Sequence, residues 1–255
     1  VTLTLTPLPK LPLIHAGDDL PDILLKGLSA ANLTLTDGDI LVLTQKIVSK
    51  EEGRLVNLKE VVPSKTAVDL ATRSLKDPRL VELILRESRK VLRVRPGTII
   101  VEHRLGFICA SAGIDHSNVQ GTDGNPEEWV LLLPEDPDRS AAEIRAKLEE
   151  KTSTRLGVLI IDSHGRAWRL GTVGVAIGLS GLPGLVDERG WEDLFGYQLK
   201  ITLVGAADEL AAAASLVIGQ AAEGTPVVHV RGFPYPLRES SLAEILRPED
   251  EDLFR

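Results

Sequence analysis

Hydrophobic and polar positions change period along this chain, and the changes mark out its elements. Residues 1–8 alternate threonine with valine or leucine, the period-two pattern of a half-buried strand. An aspartate cap at Asp18 or Asp19 predicts a helix running through Leu28. The unbroken apolar runs at 40–43 and 157–161 predict buried strands, the first after a turn signal at 36–39 and the second ending directly on Asp162. Pro63 and Ser64 open a predicted helix to about Leu75, and Pro78 opens another to about Lys90. Residues 92–94, 98–101 and 107–110 read as strands of a meander. The loosest stretch, 126–137, holds one short apolar run at 130–133. Ser140 with Glu143 reads as a capping box for a helix to Lys151. Strands are predicted at 171–178, 198–205 and 226–231, and a helix from about Ala207 to Ile218 that stops at Gly219. A short helix at 241–247 precedes an acidic tail. With no repeat and no low-complexity linker, the order of elements predicts an α+β (mixed α/β) fold of two closely joined lobes with a site between them.

Composition narrows the function classes. The chain has 255 residues, 43% hydrophobic and 26% charged, and a net charge of −8. That balance fits a globular enzyme and disfavours nucleic acid or anionic membrane as a partner. Any anionic substrate must be held by local cations. The single cysteine, Cys109, lies in an apolar run, so it reads as a packing thiol in a reducing cytoplasm. No apolar stretch is long enough for a membrane span, and residues 1–20 show no signal-peptide pattern, so a cytoplasmic protein is expected.

The candidate chemistry centres on two acids. Asp115 follows Gly113 and precedes His116, Ser117 and Asn118; Asp162 follows the buried run 157–161 and precedes Ser163 and His164. Acids at the carboxyl ends of strands sit where open α/β sheets place ligands, and two of them can share hard divalent cations that handle phosphates. Each acid alone reads first as a turn or cap former, and it is the two together, each with an adjoining hydroxyl, that point to metal. His116 and His164 read as loop-positioning residues before ligands, and His15, His103 and His229 show no partnership. Lys46 and Lys50 follow a buried strand and are either point charges for phosphate or the polar face of an edge strand. Residues 218–225 are either an amide cradle for phosphate or a plain helix–strand turn. Arg166 and Arg169 either clamp an anion or pair with Asp187 and Glu188.

Several runs recur together elsewhere. Leu11-Pro12-Leu13-Ile14 with Gly17-Asp18-Asp19-Leu20, Ser49-Lys50 with Glu52-Gly53-Arg54, Ala112-Gly113-Ile114-Asp115 with Ser117-Asn118-Val119, Asp162 with Gly165-Arg166, Gly174 with Ala176-Ile177-Gly178, and Val230-Arg231-Gly232 stand in the same order in one family. From about Leu11 to Arg247 the chain resembles the γ-glutamyl ligases of coenzyme F420 biosynthesis. The resemblance implies a GTP- and divalent-metal-dependent enzyme that joins L-glutamate to F420-0, a deazaflavin phospholactate. By the same resemblance Leu11, Pro12, Leu13, Ile14, Gln45, Lys46, Lys50 and Asn118 bind GTP. Ile218, Gly219, Gln220, Ala221, Ala222, Glu223, Gly224 and Thr225 wrap its phosphates. Asp115, Asp162, Ser163 and Gln220 hold Mg²⁺ or Mn²⁺, with the two aspartates catalytic and a monovalent cation as a further candidate. Gln220 is an amide where some relatives carry a carboxylate. The family also implies a homodimer, its interface drawn from 211–218 and 174–185 or those runs left as core. Some bacterial relatives add a C-terminal nitroreductase-like domain; a single catalytic unit without one is expected here. A metal-dependent nucleotide phosphohydrolase and a non-catalytic GTP-binding subunit are the alternatives, and a requirement for glutamate separates the ligase from both.

Overall fold

The computed structural model describes residues 2–121 and 125–252. The first predicted strand is β1 (Thr4–Pro7); Val1, which the prediction included, lies outside the described residues. Helix α1 (Leu20–Ala30) starts where its cap places it, with the Asp19 carboxylate accepting from the Asp22 amide at 3.1 Å. Strand β2 (Ile40–Thr44) runs straight into helix α2 (Gln45–Glu51), so the two lysines lie one turn apart on a helix and not on an edge strand.

A short strand, β3 (Leu55–Asn57), leads to α3 (Lys65–Ser74), capped by Ser64, and α4 (Pro78–Arg86). The second helix stops short of the predicted Lys90 because β4 (Ser88–Arg95) begins there and pairs with β5 (Thr98–His103). Ladder hydrogen bonds outweigh the helical preference of Arg89 and Lys90. β6 (Ile108–Ala110) completes the expected meander, and β7 (Trp129–Leu131) pairs back on β3. Helix α5 (Pro137–Thr152) is capped by Asp136, whose carboxylate accepts from the Arg139 amide at 3.1 Å, not by Ser140. Pro137 at the first helical position fixes that start. The Ser140 hydroxyl instead bonds Glu52, and Glu143 pairs with Arg139 at 2.8 Å.

Strands β8 (Gly157–Arg166) and β9 (Arg169–Ser180) form a long hairpin. The strand predicted over 198–205 shrinks to β11 (Leu203–Val204), paired with β10 (Val186–Asp187). Helix α6 (Ala206–Ile218) and β12 (Val227–Arg231) follow as expected, whereas the predicted helix at 241–247 is a single 3-10 turn, Leu242–Glu244.

The main sheet has the order β1-β12-β2-β8-β9, parallel only between β2 and β8. Its side chains alternate between two cores. Leu41, Leu43, Val158 and Ile160 pack against α1 and α5, while Ile40, Val42, Leu159 and Ile161 pack against α6. Each such side chain, removed from water, stabilises the fold by roughly 1.5–3 kcal/mol. Helix α6 lies so close to β9 that a Cβ at Gly174 would sit 2.5 Å from the Ala211 carbonyl. The second lobe packs α3 and α4 on the β4-β5-β6 meander through Ala67, Ile84, Ile99, Val101 and Cys109. The fold is therefore α+β with two lobes. No helix among the described residues is long and apolar enough to cross a membrane.

Candidate functional site

The parallel ladder between β2 and β8 ends at the pair Thr44 and Ile161. Beyond that edge the two chains diverge. One turns into α2 and presents Gln45 and Lys46; the other continues as a two-stranded arm, so Asp162 marks the end of the parallel pairing and not, as predicted, of the strand. This is the crevice outside the carboxyl ends of parallel strands. Asp115 reaches it from the second lobe. Its backbone is bridged to Leu131 by two hydrogen bonds of 2.9 and 3.0 Å. Just ahead of it Ser111, Ala112 and Gly113 all take left-handed conformations, with φ of 51°, 53° and 66°. For the serine and alanine that geometry costs about 1–2 kcal/mol each, strain of the kind that clusters at functional sites.

The side chains of the two lobes meet across the crevice. Lys46 Nζ donates to Asp115 Oδ2 at 2.7 Å and to Ser117 Oγ at 3.0 Å, and Gln45 Nε2 donates to the same carboxylate oxygen at 2.9 Å. Ser49 holds the other end of the Gln45 amide at 2.8 Å. One turn on, Lys50 Nζ donates to the Asn118 carbonyl at 2.8 Å, and Asn118 Nδ2 donates to the Ala221 carbonyl at 2.8 Å. The 218–225 loop is thereby tied to the second lobe. It is tied to the sheet as well, by Ser163 Oγ donating to Gln220 Oε1 at 3.0 Å. Asp162 Oδ2 lies 3.1 Å from His164 Nε2, with both side chains nearly buried.

Burial pushes the Asp115 carboxyl above its ordinary range and the nearby Asp162 adds to the rise, while Lys46 and Gln45 oppose it. Burial, with Lys46 beside it, likewise lowers Lys50. Anionic and cationic groups are thus packed closely in a partly dry cleft, where a bound cation and a bound polyanion would each relieve repulsion. The oxygen-only donors Asp115, Asp162, Ser163 and Gln220 fit a hard divalent ion. Three or more His, Cys, Asp or Glu side chains do not cluster as a metal cage anywhere among the described residues. A cation here would complete its shell with the hydroxyl, the amide and ligand or water oxygens.

One cavity of about 1210 Å³ is lined by every residue singled out for nucleotide or metal: Leu11, Pro12, Leu13 and Ile14; Gln45, Lys46 and Lys50; Asp115 and Asn118; Asp162 and Ser163; and the whole loop from Ile218 to Thr225. The sequence reading missed other parts of the wall. Thr44, His15, Ala16 and Ser117 also line it, and His164 is bonded to Asp162 rather than merely shaping a loop. His116 is exposed and outside the cavity. The remaining histidines, read as solitary, all have neighbours. His15 lies 3.8 Å from Asp18, His103 accepts from the Leu105 amide at 3.0 Å, and His229 Nε2 sits 2.9 Å from Asp39 Oδ2. The pairing drawn for Asp187 goes to another residue: Arg189 binds it at 2.5 Å, while Arg166 donates to the Gly171 and Leu170 carbonyls, and neither Arg166 nor Arg169 lines the cavity. A second cavity, of about 570 Å³, lies around Leu185, Trp191 and Tyr235, and its Arg189 and Arg238 are already paired with Asp187 and Glu244. The ionic chemistry belongs to the larger cleft.

Oxygen donors for a hard cation and ammonium and amide donors for an anion, converging between two lobes of an α+β fold, are the equipment of a phosphate-handling protein. Sequence comparison is more specific. The profile of the F420-0:gamma-glutamyl ligase family matches residues 9–232, and the chain belongs to that family. It is 47% identical over 247 residues to the coenzyme F420:L-glutamate ligase of Methanothermobacter thermautotrophicus, covering 96% of each chain. The protein of the same name from Methanopyrus kandleri is 46% identical over 258 residues, covering 100% of this chain and 98% of that one. That of Archaeoglobus fulgidus is 41% identical over 249 residues, covering 98% and 95%.

Proposed function

We propose that this protein is a ligase of coenzyme F420 biosynthesis that joins L-glutamate to F420-0 at the expense of GTP. The observation that carries the reading is the single cleft in which both acids, both lysines and the glycine loop converge. Its volume of about 1210 Å³ exceeds the usual range of roughly 300–1,000 Å³ for one small ligand, so a nucleotide and an acceptor fit side by side.

The reaction needs an activated carboxyl. The lactyl carboxylate of F420-0 attacks the γ-phosphorus of GTP, the bond to the β-phosphate oxygen breaks, and GDP leaves behind an acyl phosphate. The amine of L-glutamate then attacks that carbonyl, phosphate departs with the electron pair, and the amine loses a proton. The apolar wall of Leu11, Pro12, Leu13 and Ile14 receives the base. Lys46 and Lys50, one helical turn apart, present point charges along the phosphates, and Asn118 spans the lobes to hold the loop against them. In the free protein Lys46 neutralises Asp115; on binding it transfers its hydrogen bonds to phosphate oxygen and releases the carboxylate. A divalent cation held by Asp115 and Asp162, with Ser163 and Gln220, supplies charge neutralisation on the phosphates when bound. Mg²⁺ and Mn²⁺ both suit the oxygen set, and a monovalent cation is a further candidate.

The protein works as a homodimer in this reading. Trp168 and Leu170 at the hairpin tip are 88% and 98% exposed, and Leu194, Phe195, Ile201 and Leu216 are also exposed, so a second copy has large apolar side chains to cover. Of the runs considered for the interface, 174–185 is largely core, and 211–218 buries Ala211, Ala214 and Ile218 while leaving Leu216 and Val217 exposed.

Mass spectrometry of a mixture of F420-0, L-glutamate, GTP and Mn²⁺, with each component omitted in turn, tests the activity. A product heavier by one or more glutamyl residues and dependent on every component is expected. GTP hydrolysis without that product would replace the ligase with a phosphohydrolase, and binding without turnover would leave a GTP-binding subunit.

A further inference from the structure

The loop that closes the cleft is already carrying an anion, and it is the loop's own. Glu223 folds back on the backbone it belongs to, with Oε2 accepting from the Ala221 amide at 2.8 Å. The amides of Glu223, Ala221 and Gln220 together hold the carboxyl below its usual range, so it is ionised at neutral pH. The carboxylate lies directly over Gly219. A Cβ on Gly219, whose φ is +79°, would fall 2.3 Å from the Glu223 carboxyl carbon and 2.6 Å from Oε1. Successive backbone N–H groups turned toward one point make a concave anion site, and phosphate and carboxylate oxygens compete for it on the same terms.

We propose that Glu223 is an internal stand-in for phosphate, occupying the amide cradle of the free protein and leaving it when a polyphosphate binds. The inference rests on the cleft being the phosphate site, and it names the residue that sets the threshold for entry. The loop does not need Glu223 to hold its course. Thr225 Oγ1 donates to the Ile218 carbonyl at 3.0 Å, Asn118 pins Ala221 from the other lobe, and Ser163 pins Gln220 from the sheet. Glu223 itself is exposed, so its side chain swings into solvent without disturbing packing.

The consequence is selective. Every ligand that uses the cradle must first displace the carboxylate, and its apparent dissociation constant is raised by the reciprocal of the fraction of molecules whose cradle is free of Glu223. A ligand with several phosphates also engages Lys46 and Lys50 and outcompetes Glu223. An isolated orthophosphate, with the cradle alone to gain, does not. Glu223 therefore keeps the site free of orthophosphate while admitting nucleotides.

Calorimetric titration of the full chain tests this with tripolyphosphate, GTP, ATP and guanosine, against wild type, Glu223→Ala and Glu223→Gln. The second variant keeps the side chain's length and removes its charge. Both variants are expected to bind tripolyphosphate and GTP about three- to tenfold more tightly, the scale of one exposed charge-assisted contact, with guanosine unchanged. Unchanged or weaker tripolyphosphate binding in both variants overturns the proposal, as does a wild type that binds no tripolyphosphate. The nucleotide reading fails separately. If wild type shows no preference for GTP over ATP or guanosine while both variants still tighten tripolyphosphate, the stand-in survives and the assignment of GTP falls.

Discussion

Asp115 and Asp162 reach one cavity from different lobes, and each already has one carboxylate oxygen engaged, by Lys46 and Gln45 in one case and His164 in the other. Replacing either with asparagine keeps the shape and most of those contacts while removing the charge. Asp115→Asn and Asp162→Asn are expected to lower turnover by about 10²–10⁴-fold with an unchanged circular dichroism spectrum. Mn²⁺ is expected to raise the melting temperature of the wild type and not of either variant. Near-normal turnover in both would remove these acids from the chemistry. A third acid works for stability alone. Burial opposes charge on Asp39, but Arg231, His229 and the Thr36 amide overcome it and hold the carboxyl down to about 2. A depressed folded value contributes stability that is full above the ordinary value of 3.8 and lost as pH falls through about 2. Asp39→Asn is expected to cost about 2 kcal/mol at neutral pH, and the deficit relative to wild type to shrink as acid unfolding is followed from pH 4 downward. A deficit that stays constant with pH would mean the loss is packing and not charge.

Local signals in the chain were legible where they agree with their neighbours. Asp19 and Ser64 cap their helices as their spacing suggests, and the two unbroken apolar runs are the parallel strands at the sheet's centre. Two competing caps, Asp136 and Ser140, show the limit. Both patterns are present in the sequence, and only the position of Pro137 decides which residue has the non-helical backbone a cap needs. Asp136→Ala is expected to destabilise the protein by about 1 kcal/mol in urea unfolding. The effect should be absent from the exposed partner of the rejected box, Glu143→Ala. The helix α2 was hidden for a different reason. Its seven residues carry too short a pattern to separate from a strand, and its start is set by Thr44 reaching the sheet's edge. Helical geometry is what brings Gln45, Lys46, Ser49 and Lys50 to one side and aims them across the cleft.

At the scale of the molecule, the two acids and a site between lobes were legible from the residues, but most of the lining was named through likeness to a family, because the walls come from five separated stretches of chain brought together by non-local pairing. The bond from Asn118 to Ala221 joins residues 103 apart in sequence, and no local pattern announces it. The bare hairpin tip makes a prediction of the same scale. If the proposed dimer forms through this tip, Trp168→Glu with Leu170→Glu is expected to convert it to a monomer in light scattering, whereas a wild type that is monomeric at every concentration would refute the assembly. The whole chain also contains one thiol, and it is shut away. Burial, with Asp162 beside it, pushes Cys109 up to about 12, so it is protonated and inert under ordinary conditions. The natural protein is therefore a ready host for a single reporter. A cysteine introduced on the exposed loop, as Ala222→Cys, would be the sole group to take a fluorophore, and its emission would time the departure of the neighbouring Glu223 side chain on the native background without first stripping the chain of competing thiols.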